Sequence, residues 1–185
     1  MNSEDKGSAD FGAFVKREQT AFAEDQSVDW AKEREEWLSR LKELYQRIES
    51  FLAEYIQAGE IRLSYRDIEL NEENIGAYKA EQMMLRIGRQ EITLTPVGTL
   101  LIGAKGRVEV VGPAGRTRLV LVNSESSGPT IKVSVHIGKT EAPPSETAPK
   151  ETKWAWKIAT SPPIIRYIDL TQESLFQALL EVANG

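Results

Sequence analysis

The sequence predicts an α+β fold: a long N-terminal helix, an antiparallel meander sheet or roll of about seven to nine short strands, and a C-terminal helix. Apolar residues recur three and four positions apart between Trp37 and Tyr55, which is the period of one helix face. After Gly59 they alternate with polar residues instead, and helical spacing returns only after Thr171. Because no helical pattern interrupts the strands, we expect both helices to cover one apolar face of the sheet.

The chain is expected to form a single domain preceded by a tail. Its 185 residues, 41% hydrophobic and 28% charged, are enough for one hydrophobic core of ordinary size. Residues 1–26 are predicted to be a flexible segment with a possible short amphipathic helix, and residues 27–185 a single α+β domain. Residues 139–152 are rich in proline and lack large apolar side chains, so we expect a mobile loop there.

The long helix is predicted over residues 30–56, with Ser27 or Asp29 as its N-cap and Gly59 as its stop. The apolar row from Trp37 to Tyr55 is accompanied by a second row beside it. Together the two rows cover heptad positions a, d and e. This width favours packing on the protein's own core, whereas a coiled coil remains the alternative. The second row consists of Leu38, Tyr45, Leu52 and Ile56.

Nine short strands are predicted between the two helices, at residues 61–70, 83–87, 92–94, 100–103, 107–111, 116–122, 131–137, 154–158 and 164–168. The apolar phase changes near Arg66, which predicts a bulge or a bend, and residues 71–77 are interpreted as a loop. Pro96 should end its strand or place it on an edge. The last helix, over residues 171–182, has Thr171 as its predicted N-cap and a hydrophobic staple of Leu170 and Leu175.

The composition excludes most catalytic and metal chemistry. The sequence has no cysteine and one histidine, His136, so thiolate sites and paired-imidazole sites are impossible. The stretch from Gly98 to Lys105 fails as a phosphate-binding loop, because it lacks the Lys-Ser/Thr pair that opens a helix. A carboxylate metal site around Asp67 and Glu69 is a minor alternative to a charged strand end. We therefore expect no enzyme activity, no catalytic residue, no metal and no cofactor.

The N-terminal residues are acidic and no long apolar run is present, so neither a signal peptide nor a membrane span is expected. A cytoplasmic location follows as an expectation. Acidic side chains outnumber basic ones in residues 1–58, and the reverse holds in residues 59–140.

The first functional hypothesis is a protein–protein interaction protein, such as an adaptor, a chaperone-like protein or an inhibitor-type subunit. A helix of this length spans roughly 42 Å, whereas seven strands cover roughly 30 Å. The end of the helix around Trp30 and Trp37 should therefore overhang the sheet. Phe11, Phe14 and Phe22 recur at helical spacing before it, and they are expected to dock onto this helix, a partner protein or a second copy of the chain.

The alternative hypothesis is an anion-binding β module. Five arginines fall on the polar phase of their strands and would bind an acidic surface, a lipid headgroup or nucleic-acid phosphates. A solvated sheet face is the favoured interpretation of the same residues, because stacking aromatics are absent from that phase. The arginines are Arg62, Arg86, Arg107, Arg116 and Arg118.

Overall fold

The computed structural model describes residues 11–16, 29–99, 104–129, 153–161 and 163–184. Residues 11–16 are helical and are named α1, and the long helix α2 spans Trp30–Gln57. The strands are β1 (Ile61–Glu72), β2 (Gly76–Ile87), β3 (Gln90–Gly98), β4 (Gly106–Val111), β5 (Arg116–Asn123), β6 (Trp154–Ala159) and β7 (Tyr167–Asp169), followed by α3 (Gln172–Asn184). Phe22, His136, the predicted strands 100–103 and 131–137, and the predicted loop 139–152 lie outside the described residues.

The seven strands form one antiparallel meander in sequence order, and this confirms the predicted α+β class. β1 and β2 make a longer hairpin than predicted, paired from Ile61 with Ile87 through to Glu72 with Gly76. The predicted loop 71–77 is therefore reduced to a turn at residues 73–75. Pro96 lies beyond the last pair that β3 makes with β2, so it occupies a local edge as predicted.

Of the bulge or bend predicted near Arg66, the bulge is wrong, because the register of β1 with β2 does not shift there. Burial nevertheless changes phase along both strands, between Leu63 and Ile68 in β1 and between Ala80 and Met83 in β2. This part of the hairpin extends past its pairing with β3. A two-stranded ribbon twists more strongly than a wide sheet, and the twist turns its other side toward the core.

The ends of α2 carry the caps that the sequence predicts. The Asp29 side chain accepts a hydrogen bond of 3.1 Å from the backbone N–H of Lys32. At the other end Gly59 has a φ of 74° and donates to the Ile56 carbonyl, while Glu60 donates to the Tyr55 carbonyl. This pair of bonds is a Schellman motif, which a residue at positive φ permits.

The start of α3 also follows the prediction. The Thr171 hydroxyl accepts a bond from the Ser174 N–H, and the Ser174 hydroxyl accepts one from the Thr171 N–H, which makes a capping box. Leu170 and Leu175 are both buried in the core as the predicted staple requires.

The core lies between the two helices and one face of the sheet, which we name the inner face. The opposite face is named the outer face. Since side chains alternate along a strand, the outer face carries the polar phase of β1 to β5. The largest fully buried side chains of the core are Trp37, Leu44, Ile48, Leu52, Met83, Leu85, Ile92, Leu94, Leu119, Leu170, Leu175 and Val108.

Trp37 lies inside this core and does not overhang the sheet. Its side chain is 2% exposed and its ring centroid lies 6.0 Å from that of Trp156. A Cβ atom at Gly106 would approach the Trp37 ring to 2.2 Å, so only glycine fits beneath the indole. The expectation of an overhang failed because the β1–β2 hairpin extends past β3 and buries Tyr78 and Ala80 in the same cluster.

Glu72 fastens the far end of this hairpin to the end of β3. Its carboxylate accepts a bond from the Tyr78 hydroxyl, one of 2.8 Å from the Thr99 N–H and one of 2.9 Å from the Thr99 hydroxyl. Burial and the neighbouring Glu72 carboxylate raise the pKa of Tyr78, so its phenol stays protonated and keeps donating in alkaline solution as well as at neutral pH.

We predict that Gly106→Ala destabilises the fold by about 1–3 kcal/mol, because the added methyl group forces the buried indole of Trp37 to shift. Chemical denaturation monitored by tryptophan fluorescence would measure the change. Gly115→Ala is the matched control, since nothing lies within 4 Å of a Cβ atom there. Equal stability of the two variants would contradict the proposed contact.

Candidate functional site

Among the residues that the structure describes, an apolar groove of about 450 Å³ lies between α2 and α3, and we name it the inter-helix groove. Its size falls within the range of ligand pockets, roughly 300–1,000 Å³. Its floor is made by the ends of β1, β2 and β3. The lining residues are Leu52, Tyr55, Glu60, Ile61, Ile87, Gln90, Phe176, Leu179, Leu180, Ala183 and Asn184.

The groove exists because α3 is tied to α2 near one of its ends only. Near the start of α3, Gln172 Nε2 donates to the Phe51 carbonyl at 3.1 Å, and the Leu170 carbonyl accepts a bond from Arg47 at 2.6 Å. Near its end, the Val182 carbonyl instead accepts a bond from the N–H of Ala114, in the turn between β4 and β5. The start of α3 is therefore bound to α2, whereas its end is bound to the β4–β5 turn.

Large apolar side chains of the groove reach solvent. The Tyr55 and Phe176 rings meet edge to face with centroids 5.9 Å apart. Tyr55 is 42% exposed and Leu180 is 54% exposed. Contiguous exposed apolar surface of this kind is typical of a binding site, whereas isolated exposed leucines are ordinary.

The groove is also electronegative at its ends. Tyr55 belongs to the last turn of α2, and Ala183 and Asn184 belong to the last turn of α3. Neither last turn contains a basic residue, so no cationic side chain of these turns offsets the partial negative charges of the two helix C-termini. Among the described lining residues the one charged side chain is that of Glu60. The surface therefore favours an apolar ligand that carries positive charge.

No known protein family, curated protein or solved structure matches this chain. Among the helices that the structure describes, none has the length and apolarity needed to cross a membrane.

The predicted partner-binding residues fall into two different environments. On α1, Phe11 is 68% and Phe14 is 47% exposed, and their ring centroids lie 6.3 Å apart on one side of the helix. Trp30 at the start of α2 is half-buried. Trp37 is a core residue, so it presents no surface to a partner. Phe22 is outside the described residues.

The predicted arginines all lie on the outer face. Arg62 and Arg86 stand directly opposite each other on β1 and β2, and Arg86 also pairs with Glu91 at 3.0 Å. Two like charges on facing positions repel each other unless an anion lies close by. These two arginines are the first group of the predicted anion-binding set.

The other three arginines lie on β4 and β5 around a carboxylate. Arg107 is 3.7 Å from Glu109, and Arg118 stands opposite Glu109 in the strand register. Arg116 stands opposite Val111 at the end of the same pair of strands. The five arginines therefore form two groups separated by β3, and they do not converge on one anion.

Lys157, which lies on the polar phase of β6, is buried. Its Nζ donates to the Ser126 carbonyl and pairs with Asp169, each at 3.0 Å. Next to it a small apolar cluster of Val120, Val122 and Ala159 packs against Tyr167 and Ile165. This part of the outer face is covered by loops, so the exposed arginines lie on β1, β2 and β5.

The carboxylates of β1 show no metal-binding arrangement. Asp67 stands opposite Glu81 and Glu69 stands opposite Lys79 in the strand register. Within the described residues, no group of three or more His, Cys, Asp or Glu side chains could hold a metal ion.

The apolar side chains of the groove are apparent in the sequence, but the groove itself is not. Tyr55 belongs to the predicted stripe of the long helix, and Phe176 and Leu180 are among the apolar residues whose helical spacing begins after Thr171. The apolar faces of the long helix and the last helix are both wider than packing on the sheet alone would bury. No local pattern shows that the last turns of the two helices border the same cavity.

We predict that Leu180→Asp lowers the free energy of unfolding by only about 1 kcal/mol, through lower helix propensity and a carboxylate near the helix C-terminus, because this side chain is mostly exposed. Leu179→Asp, one position earlier, should cost about 3 kcal/mol or more, since it places a charge in the core without a partner. The two effects should differ because Leu179 is only 6% exposed. Urea denaturation of both variants would measure their free energies of unfolding. Strong destabilisation by Leu180→Asp would show that the groove is closed in solution.

Proposed function

We propose that this chain is a non-enzymatic protein–protein interaction module that binds an amphipathic helical segment in the inter-helix groove. The observation that carries the proposal is the exposed apolar cavity bordered by the last turns of two helices without basic residues. Grooves between helices commonly accept the apolar side of a helical peptide through anchors at positions i, i+3, i+4 and i+7.

Apolar burial would supply most of the affinity. Fully burying one phenylalanine or leucine side chain contributes about 1.5–3 kcal/mol relative to leaving it exposed. Two anchors would offset part of the rigid-body and ordering costs of association, so binding by the groove alone is expected to be weak and reversible. Aromatic anchors suit the site, because Tyr55 and Phe176 already present ring edges and faces to the cavity.

Charge would supply the selectivity. Each helix C-terminus favours a nearby cation by about 0.3–1 kcal/mol at a partly exposed position. Glu60 adds a full negative charge at the start of β1. The partner that fits is therefore a segment with an apolar side and flanking lysine or arginine.

This proposal retains the adaptor, chaperone-like or inhibitor-type hypothesis but moves its site. The long helix contributes through Leu52 and Tyr55 near its C-terminal end, whereas Trp37 supports the fold. A cytoplasmic location stays a prediction.

We predict that a labelled helical peptide with phenylalanine anchors and flanking lysines binds the full chain about tenfold more tightly than the same peptide with glutamates, because the helix ends favour cations. Fluorescence anisotropy at low ionic strength would measure both affinities. Leu180→Asp should abolish binding of both peptides.

Ser64→Asp is the matched control, since it adds the same charge at an exposed position of the outer face. It should leave the affinity unchanged. Equal binding of the lysine and glutamate peptides, or binding that survives Leu180→Asp, would contradict the proposal.

A second candidate function is anion binding by the outer face. The observation that favours it is the direct opposition of Arg62 and Arg86, together with exposed Arg116 on the same face. An extended polyanion or an anionic membrane surface could contact both arginine groups at once, whereas one small anion could not. Neighbouring Glu91 and Glu109 weaken the positive potential, so this function ranks second.

For this candidate we predict that the chain binds phosphatidylserine vesicles or duplex DNA. Binding should weaken as salt is added, because phosphate contacts release counterions. The variant Arg116→Glu/Arg118→Glu should bind at least tenfold more weakly. Arg40→Glu/Arg89→Glu is the control for net charge, since both residues are exposed and neither belongs to the predicted set. Absence of wild-type binding at low salt would exclude this candidate.

A further inference from the structure

We infer that the occupant of the inter-helix groove is α1 of a second copy of this chain. The inference rests on the proposed function, and it names the partner of that same site. It would make the protein self-associate by exchange of its N-terminal segments.

The chemistry of α1 complements that of the groove. Phe11 and Phe14 lie three residues apart with adjacent rings, which is the anchor spacing of a helix in a groove. The next two residues in the sequence after Val15 are Lys16 and Arg17. The apolar pair matches the apolar side chains of the cavity, and the two cations, which lie between Asp10 and Glu18 in the sequence, match its border of two helix C-termini and Glu60.

The length of the chain between α1 and α2 favours a second copy over the same molecule. From residue 16 to Asp29 the chain can span at most about 43–47 Å when fully extended. The helix from Asp29 to Tyr55 is itself about 39 Å long. Docking in the same molecule would therefore require almost complete extension of residues 17–28, which carries a large cost in conformational entropy. A neighbouring copy has no such requirement.

Exchange in both directions would give a closed dimer. Each contact between α1 and a groove would be weak alone. Once one contact has formed, it holds the other α1 close to the other groove, so the second contact forms more readily. External partners of the groove would compete with α1, so self-association would regulate the proposed binding function.

The test uses the absence of cysteine from the natural sequence. Val15→Cys in one full-length chain and Asn184→Cys in another place one thiol on α1 and one beside the groove. When the two are mixed and treated with a short bis-maleimide, we expect at least tenfold more mixed dimer than with Ser64→Cys in place of Asn184→Cys. Adding Phe11→Asp and Phe14→Asp to the Val15→Cys chain should remove this excess.

Other results would overturn the inference. Equal linking to the Ser64→Cys control would show non-specific encounter. Linking only within single chains that carry both Val15→Cys and Asn184→Cys would show docking in the same molecule.

A further measurement separates this inference from the proposed function. The labelled lysine peptide should bind the Phe11→Asp/Phe14→Asp variant several-fold more tightly than the wild type at concentrations where the wild type dimerises. If it binds both equally well, the groove is a binding site that α1 does not occupy, and the inference fails alone. If it binds neither, the proposed function fails as well.

Discussion

The contact of Trp37 with Gly106 and Trp156 fixes the position of α2 on the sheet. Beside this contact, the indole N–H of Trp156 donates to the Arg40 carbonyl at 3.1 Å. Because Trp37 approaches a glycine on β4, the helix comes closer to the strands there than any larger residue would allow. Further along, the Tyr45 hydroxyl donates to the Glu81 carbonyl at 2.7 Å and keeps α2 against β2. The N-terminal half of α2 is therefore packed against the sheet.

This constraint determines where apolar surface remains. α2 follows the β1–β2 hairpin, since Tyr45 bonds to Glu81 of β2 and Leu52 lies beside Ile61 and Ile87, where β1 begins and β2 ends. Tyr55 lies at this open end of the hairpin. There α3 is the neighbouring element, but its C-terminal end is bound to the β4–β5 turn through Val182 and Ala114. The inter-helix groove therefore lies where α2 passes the open end of the hairpin and the end of α3 is held by another element.

Local patterns in the sequence predict the elements well, because caps and periodicity are local properties. Asp29, Gly59 and Thr171 take the predicted capping positions. The extent of the β1–β2 hairpin is not predicted, since its strand ends near residues 71–77 are as polar as a loop. The burial of Trp37 depends on Gly106, some 70 residues away, and no spacing rule connects them. For the same reason the sequence identifies both apolar helix faces but does not predict the groove between them.

The two sides of the domain differ in charge, and this difference separates the two candidate functions physically. The inner side carries Glu60 and two helix C-termini without basic residues in their last turns. The outer face carries the arginines of β1, β2 and β5, which are partly neutralised by Glu91 and Glu109. The cationic, apolar segment proposed for the groove would be repelled by these arginines, and a polyanion would be repelled by Glu60. Because the two surfaces lie on opposite sides of the sheet, occupation of one would not block the other.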